Sequence, residues 1–385
     1  MENFIFQNTT KLIFGKNTVK TIGKELSKHG IKKVLMVYGG GSVFKNGVFD
    51  TISKSLIENN IKYTELSNIK ANPVISKVYE GIELFRKENA DAVLAVGGGS
   101  VIDTSKAIAA GLGYNGDVWD LYENKAAVKT EIPVFTVLTI SATGSEMNGN
   151  SVITNEKKKW SVSSPQLFPK FSIVDPSVQF SLPLNQSVNG AVDTMSHVFE
   201  LYFDRTEENE VMDEYSEGLI RTVMKNIQIV IKNPEDYNAR ANLALCATLA
   251  LNNSNGMGRQ GGDWATHNLE HSLSAFYDIA HGAGLAIMFP AWMKYVYREN
   301  IKKWVRFSEK IFGVNYGSEE EKAIKGIELL KEFYKKTGAP VSLREVGIPE
   351  EDLEKLSENA LLRGPFGNMK KLDKDDVLKI YKIAY

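Results

Sequence analysis

Two short apolar runs, Lys33–Tyr38 (KVLMVY) and Asp91–Val96 (DAVLAV), each lead straight into the same tetrad, GGGS. Runs this short and this apolar read as strands buried on both faces, and such strands belong to a parallel sheet covered by helices. Parallel strands need crossover helices, and the sequence supplies them. Residues 75–90 (ISKVYEGIELFRKENA) and 101–112 (VIDTSKAIAAGL) carry apolar residues at helical spacing. KYTEL at 62–66 and PVFTVLT at 133–139 read as further strands. The first part of the chain therefore predicts an α/β domain with a doubly wound, Rossmann-like sheet.

The pattern changes at SLPLNQ (181–186), beyond which the periodicity is almost entirely helical. Residues 185–203, 212–231, 237–251 and 299–312 all carry apolar stripes of helical period. This reading places an α/β domain at 1–182 and an all-α domain at 183–385. A length of 385 residues suits two cores rather than one. The formal net charge of -1 provides no basic field, so nucleic acid and anionic membrane surfaces are not expected partners. No apolar run approaches the ~20 residues of a membrane span. The start, MENFIFQNTT, lacks the cationic opening of a targeting segment. The single cysteine, Cys246, leaves no disulfide framework. A cytoplasmic enzyme is the expectation.

Gly97, Gly98 and Gly99 follow a strand, and Ser100 is expected to open a helix. Glycines there let a bound group approach the backbone, and free N–H groups at a helix start favour phosphate. The spacing departs from GxGxxG, so a tight structural turn is an equal reading. Asp103 and Lys106, three apart, read as an intrahelical ion pair. In the first tetrad, Gly39, Gly40, Gly41 and Ser42 stand where an acid usually holds a ribose 2′-hydroxyl, and the next acid in sequence is Asp50. A neutral loop tolerates a 2′-phosphate, which favours NADP(H) over NAD. A third loop of small residues, TISATGSE (139–146), could wrap the pyrophosphate or the nicotinamide.

Four of the five histidines gather in two segments. Asp193 and His197 lie four apart on one expected helix, and His267 and His271 lie four apart on another, so each pair shares a face. His281 follows ten residues later. Three imidazoles and a carboxylate suit a divalent transition metal, and five candidates for four positions leave one residue for other work.

These motifs in this order resemble the iron-containing (group III) alcohol dehydrogenases, most closely the NADPH-dependent butanol dehydrogenase branch. The resemblance runs from NTTKLIFGKN through YGGGSVFKNGVFD, LAVGGGSVIDTSK, ATGSEMN and NGAVDTMSHVFE to DWATHNLEH. It implies a Rossmann-like domain followed by a helical one, the dehydroquinate synthase-like architecture. It implies metal ligands Asp193, His197, His267 and His281, with His271 beside the nicotinamide. It puts the pyrophosphate at Gly97–Ser100 with Asp103 near it, and the cofactor along Thr139, Thr143 and Lys159. It also implies a homodimer. The family's metal is iron; zinc fits the same donors, so loading decides between them. One departure is LTISATGSE, where many relatives carry proline and a second threonine.

The expected reaction is reversible hydride transfer between NADPH and an aldehyde, with His271 relaying a proton. A dehydroquinate synthase-like lyase would need clustered basic residues for an anionic substrate, and between Leu251 and Tyr295 only Arg259 and Lys294 are basic. An NAD-linked polyol dehydrogenase is a nearer rival. A non-catalytic metal- and nucleotide-binding protein is a third reading, and the ligand set with His271 to spare argues against it.

Overall fold

The computed structural model describes residues 1–385. Its internal contacts separate two units. One comprises Gln7–Leu182 and Asn233–Asn252; the other comprises Met1–Phe6, Pro183–Lys232 and Asn253–Tyr385.

The α/β unit holds eight strands: β1 (Lys11–Phe14), β2 (Lys33–Tyr38), β3 (Lys62–Leu66), β4 (Ala92–Gly97), β5 (Val134–Leu138), β6 (Asn150–Asn155), β7 (Lys158–Ser163) and β8 (Phe171–Val174). Six form a sheet in the order β1-β8-β5-β4-β2-β3, parallel throughout. Alternation along the strands divides the core in two. Leu35, Val37, Val93 and Ala95 pack with residues of the helices Ile75–Glu88 and Gly99–Leu112. Val34, Met36, Leu94 and Val96 pack on the other face with Ile22, Leu26, Ile52 and Leu56. Both faces are covered, which is why the strands read as unbroken apolar runs.

β3 lies on one side of β2 and β4 on the other. The chain therefore leaves β2 and β4 in opposite directions, and their carboxyl ends open a crevice at a topological switch point, where open α/β sheets take ligands. Both GGGS tetrads sit there.

β6 and β7 form an antiparallel hairpin apart from the main sheet, with Glu156 in the left-handed region at φ 54° in its turn. Neither this hairpin nor β1 and β8 stood out in the sequence. β1 and β8 are four residues each, and β1 is an exposed-to-half-buried edge.

A boundary at residue 182 alone misplaces one helix. Tyr237–Ala250, assigned by its periodicity to the helical domain, packs within the α/β unit. Its Thr248 hydroxyl donates to Glu146 Oε1 at 2.6 Å, giving a fully buried carboxyl its partner. Its backbone closes on Gly144, where an added Cβ would stand 2.9 Å from the Ala247 carbonyl. An apolar stripe shows that a helix is buried but not in which core. At the other end, Glu2 N donates to Gly258 O at 2.9 Å, which ties the first residues to the helical unit.

The helical unit packs Leu184–Tyr202, Glu210–Lys232, Ala265–Tyr277, His281–Val296 and Ile301–Phe312 with further helices toward the C-terminus. Phe203 is its aromatic hub, with ring contacts to Phe199, Trp292, Trp304 and Phe307. Buried Lys303 meets both Asp213 oxygens at 2.6 and 2.7 Å, and Arg259 meets one at 3.0 Å, so the charges beneath this hub are paired. No helix is long and apolar enough to cross a membrane.

Candidate metal centre and nucleotide loops

Asp193 and His197 project from one face of Leu184–Tyr202, and His267 projects from Ala265–Tyr277. All three are buried, and their potential ligand atoms lie within 4.8 Å of one another. The His197 and His267 rings stack at 4.9 Å. Asp193 Oδ1 and His267 Nε2 are buried without a hydrogen-bond partner. A buried carboxylate oxygen and an imidazole nitrogen left so carry a large desolvation penalty, and a cation between them removes it.

His281, the first residue of His281–Val296, points Nε2 toward this cluster, 3.7 Å from Asp193 Oδ1. Two buried acids set the imidazole tautomers. Glu200 Oε1 lies 2.7 Å from His267 Nδ1, and Glu270 Oε2 is hydrogen-bonded to His281 Nδ1. A carboxylate accepting from Nδ1–H leaves the Nε2 lone pair for a metal. Three imidazoles and one carboxylate thus converge, and this donor set fits zinc or iron.

His271 stands one turn beyond His267, its ring 5.7 Å from that of His281. Glu270, His271 and His281 form a second close group. Glu270, however, already serves Ser274 Oγ and His281 Nδ1, so it backs His281 rather than completing another ligand set.

The two glycines of HGAG make room for this packing. A Cβ on Gly282 would stand 2.1 Å from the Asn189 carbonyl, and one on Gly284 would stand 2.6 Å from Glu270 Cγ. At the start of the His267 helix, Trp264 adopts φ 62°, a strained conformation for a bulky residue. Its indole donates to Gly261 O at 2.7 Å and its backbone N–H to Glu200 Oε2 at 2.5 Å. Buried Asp263 accepts from Ala265 N, Asn368 N and Met369 N; burial and the nearby Glu200 push its carboxyl up to about 7.

Glu200, Glu270 and Asp263 escaped the sequence reading. The first two carried a signal. Each lies three residues after a histidine on the same helix, among apolar neighbours.

In the α/β unit, Gly98 caps the helix Gly99–Leu112, which starts one residue before the expected Ser100. Gly99 lies so close to Thr143 that a Cβ there would stand 2.5 Å from its hydroxyl, and Thr139 N donates to Gly97 O at 3.0 Å. Gly97–Ser100, Thr139 and Thr143 therefore gather at the carboxyl ends of β4 and β5. Lys159, on β7, is buried and donates to Asn72 Oδ1 at 3.1 Å, next to Ala71, whose carbonyl accepts from Ser100 Oγ.

Asp103 turns into the protein: Oδ1 accepts from Ser145 Oγ at 2.6 Å and Oδ2 from Val152 N at 3.0 Å. The expected ion pair with Lys106 is bridged instead, because Ser145 Oγ also accepts from Lys106 Nζ at 2.8 Å. Burial raises the Asp103 carboxyl against the opposing pull of Lys106.

Around the first tetrad, a Cβ on Gly40 or Gly41 would meet nothing within 4 Å, and Ser42 opens the short helix Ser42–Lys45. Gly39 O accepts from Asn68 N at 2.9 Å, which holds the loop to the residues after β3. One acid beside this loop was not found from sequence order. Glu65, on β3, accepts from the Tyr38 hydroxyl at 2.5 Å, and burial together with this carboxylate pushes the Tyr38 phenol up to about 12.

The patterns described as iron-containing alcohol dehydrogenase and as the C-terminal region of that family match residues 9–176 and 187–385. The chain belongs to the iron-containing alcohol dehydrogenase family. Among its relatives, a probable NADH-dependent butanol dehydrogenase of Bacillus subtilis is 44% identical over 388 residues, covering 100% of both chains. An NADPH-dependent aldehyde reductase of Escherichia coli is 32% identical over 393 residues, again with 100% of both covered. Among solved structures, an NADH-dependent butanol dehydrogenase from Thermotoga maritima aligns with a TM-score of 0.98 at 54% identity, covering 100% of this chain and 99% of the other. Family membership makes the protein an alcohol dehydrogenase.

Proposed function

We propose that the protein interconverts primary alcohols and aldehydes, such as butanol and butanal, using a nicotinamide dinucleotide and a divalent metal, iron by family. The observation that carries this reading is the convergence of Asp193, His197, His267 and His281 around two buried, unpartnered ligand atoms. When bound, the metal supplies a Lewis acid for the carbonyl oxygen and the reduced nicotinamide supplies the hydride.

This chain's residues do the rest. Asp193, His197, His267 and His281 hold the ion, with Glu200 and Glu270 fixing the two tautomers. Gly97–Ser100, Thr139 and Thr143 receive the nucleotide, held in shape by Asp103 and Lys159. His271 holds the proton that the substrate oxygen gains on reduction.

The Gly39–Ser42 loop has no carboxylate of its own, and Glu65 is engaged by Tyr38, so we infer that NADPH is accepted. A second reading, preference for NADH, is favoured by the names of the Bacillus and Thermotoga relatives. We further propose a cytoplasmic homodimer, for which the exposed Phe4 and Ile5 of the first segment offer an apolar patch.

The test is oxidation of NADPH and of NADH with butanal by protein loaded anaerobically with Fe²⁺, with zinc-loaded and chelator-stripped protein beside it. Metal-dependent turnover supports the reading. No turnover with either cofactor by metal-loaded protein would sink it.

A further inference from the structure

Lys106 is completely buried at the middle of the helix Gly99–Leu112. A lysine in such a place is costly unless its charge is answered. Here every direct contact is a neutral oxygen, with the Asp103 and Glu146 carboxyls acting from beyond that shell. Nζ lies 2.7 Å from Ser145 O, 2.8 Å from Ser145 Oγ, 2.7 Å from Asn148 O, 3.2 Å from Asn148 Oδ1 and 2.9 Å from Asn150 O. An ammonium has only three protons, so it cannot satisfy five acceptors one by one. It sits among them as a spherical cation would, at distances similar to those of a monovalent ion in a ring of carbonyls.

All five oxygens belong to residues 145–150, at the end of the segment joining β5 to β6. The start of that segment is the Thr139–Thr143 loop. Ile140 packs on Gly98 and Thr143 on Gly99, so the loop rests directly on the glycine turn. Ser145 N donates to Thr143 Oγ1 at 3.2 Å, and Asn148 Nδ2 to Gly144 O at 3.0 Å, so a shift at residues 145–148 reaches Thr143 without intermediates. Carbonyls pointing at one centre repel one another, and only a positive charge at that centre holds them together.

We propose that Lys106 is a positioning residue whose ammonium serves as the fixed cation of an oxygen cage, shaping the 139–150 segment for nucleotide binding. This rests on the reading that the α/β unit binds a nicotinamide dinucleotide. The charge matters more than the side chain, so a free cation of similar radius can take its place when the side chain is removed.

Dissociation constants for NADPH and NADH, read by nicotinamide fluorescence, test this with wild type, Lys106→Met, Lys106→Ala and Ser145→Ala at constant ionic strength. Lys106→Met, which keeps the bulk and removes the charge, weakens binding roughly tenfold, the scale of lost charge-assisted hydrogen bonds. Metal content, set in the other unit, is unchanged. Lys106→Ala is weakened likewise and recovers when ammonium or K⁺ replaces choline. Wild type and Lys106→Met show no such response.

Binding by Lys106→Met equal to wild type would overturn the proposal. So would weakened Lys106→Ala that ignores ammonium and K⁺. If the lysine variants do not fold, Ser145→Ala decides, since it removes one cage oxygen and keeps the cation. It binds the nucleotide roughly threefold more weakly, about half the effect of a full hydrogen bond to a charge, and unchanged binding would overturn the role. If wild type binds neither nucleotide, it is the nucleotide reading that fails.

Discussion

The candidate metal centre and the candidate nucleotide loops present their chemistry in opposite ways. The centre is made of side chains. Imidazoles and a carboxylate from three helices converge, and a second layer of buried acids fixes their orientation. The loops are made of backbone. Glycines and small hydroxyl residues bring N–H groups to the ends of β2, β4 and β5, and the charged side chains nearby, Asp103 and Lys106, turn inward to hold the loops in shape. A site built from side chains fails when one ligand is lost. A site built from backbone degrades gradually as its supports are removed.

This contrast orders the expected effects. The largest is at the ligands: Asp193→Ala empties the centre and lowers turnover to that of chelator-stripped protein, read by metal analysis beside butanal reduction. His271→Ala comes next. It keeps its metal and loses roughly 10²–10⁴-fold in turnover, the usual contribution of a positioned proton donor. Loss of metal, with normal turnover after reloading, would return His271 to the ligand set.

Glu200→Gln keeps the shape and removes the charge behind His267, so metal affinity falls about 10–100-fold, measured by competition with a chelator. On the loop side the changes are smaller. Gly40→Asp places a carboxylate in open space within the first tetrad and weakens NADPH roughly tenfold while sparing NADH. Equal losses for both cofactors would place the 2′ position elsewhere.

The smallest expected effect is a pH response. Burial pushes the Lys106 ammonium down from 10.5 to about 8, against the pull of the two acids that face it, Asp103 on its own helix and Glu146 on the 145–147 turn. Lys159 acts on Asp103 instead, and Asp103 in turn raises the Tyr122 phenol, which burial already pushes up. As pH rises through about 8 the cage loses its cation, and nucleotide affinity falls severalfold in wild type but not in Lys106→Met. Global stability moves the other way. Between about 8 and 10.5 the unfolded chain binds the proton that the folded chain has released, so this group adds stability as pH rises. A thermal midpoint that falls in step with affinity over that window, in wild type alone, would assign the response to unfolding.

Much of the α/β fold was legible because buried parallel strands leave a plain trace: β2, β3, β4 and β5 each stood out as a short run beside a helix. The hairpin β6–β7 did not, since its strands alternate polar and apolar residues with no crossover to flag them. The histidines were legible because they are rare and cluster. Glu200 and Glu270 carried only their spacing from a histidine, and Lys106 read as a plain ion pair with Asp103, because acids and lysines are common on helices and only burial separates a structural charge from a solvated one. Glu65 was hidden for another reason. It lies beside the first tetrad through sheet pairing, with Met36 opposite Glu65, and a strand's neighbour cannot be read from its own sequence.

The helix Tyr237–Ala250 has a consequence for how the protein is made. The α/β unit is interrupted in sequence: its last piece, Asn233–Asn252, follows 50 residues, Pro183–Lys232, that belong to the other unit. A chain emerging from the ribosome with every strand already synthesised still lacks the Thr248 hydroxyl that Glu146 requires and the helix that closes over Gly144. The sheet can form early, but the segment carrying Thr143 and the oxygen cage is completed only once residue 252 is out. For the same reason no single cut yields two self-sufficient halves, and a fragment ending at Leu182 would leave the Glu146 carboxyl without the Thr248 hydroxyl.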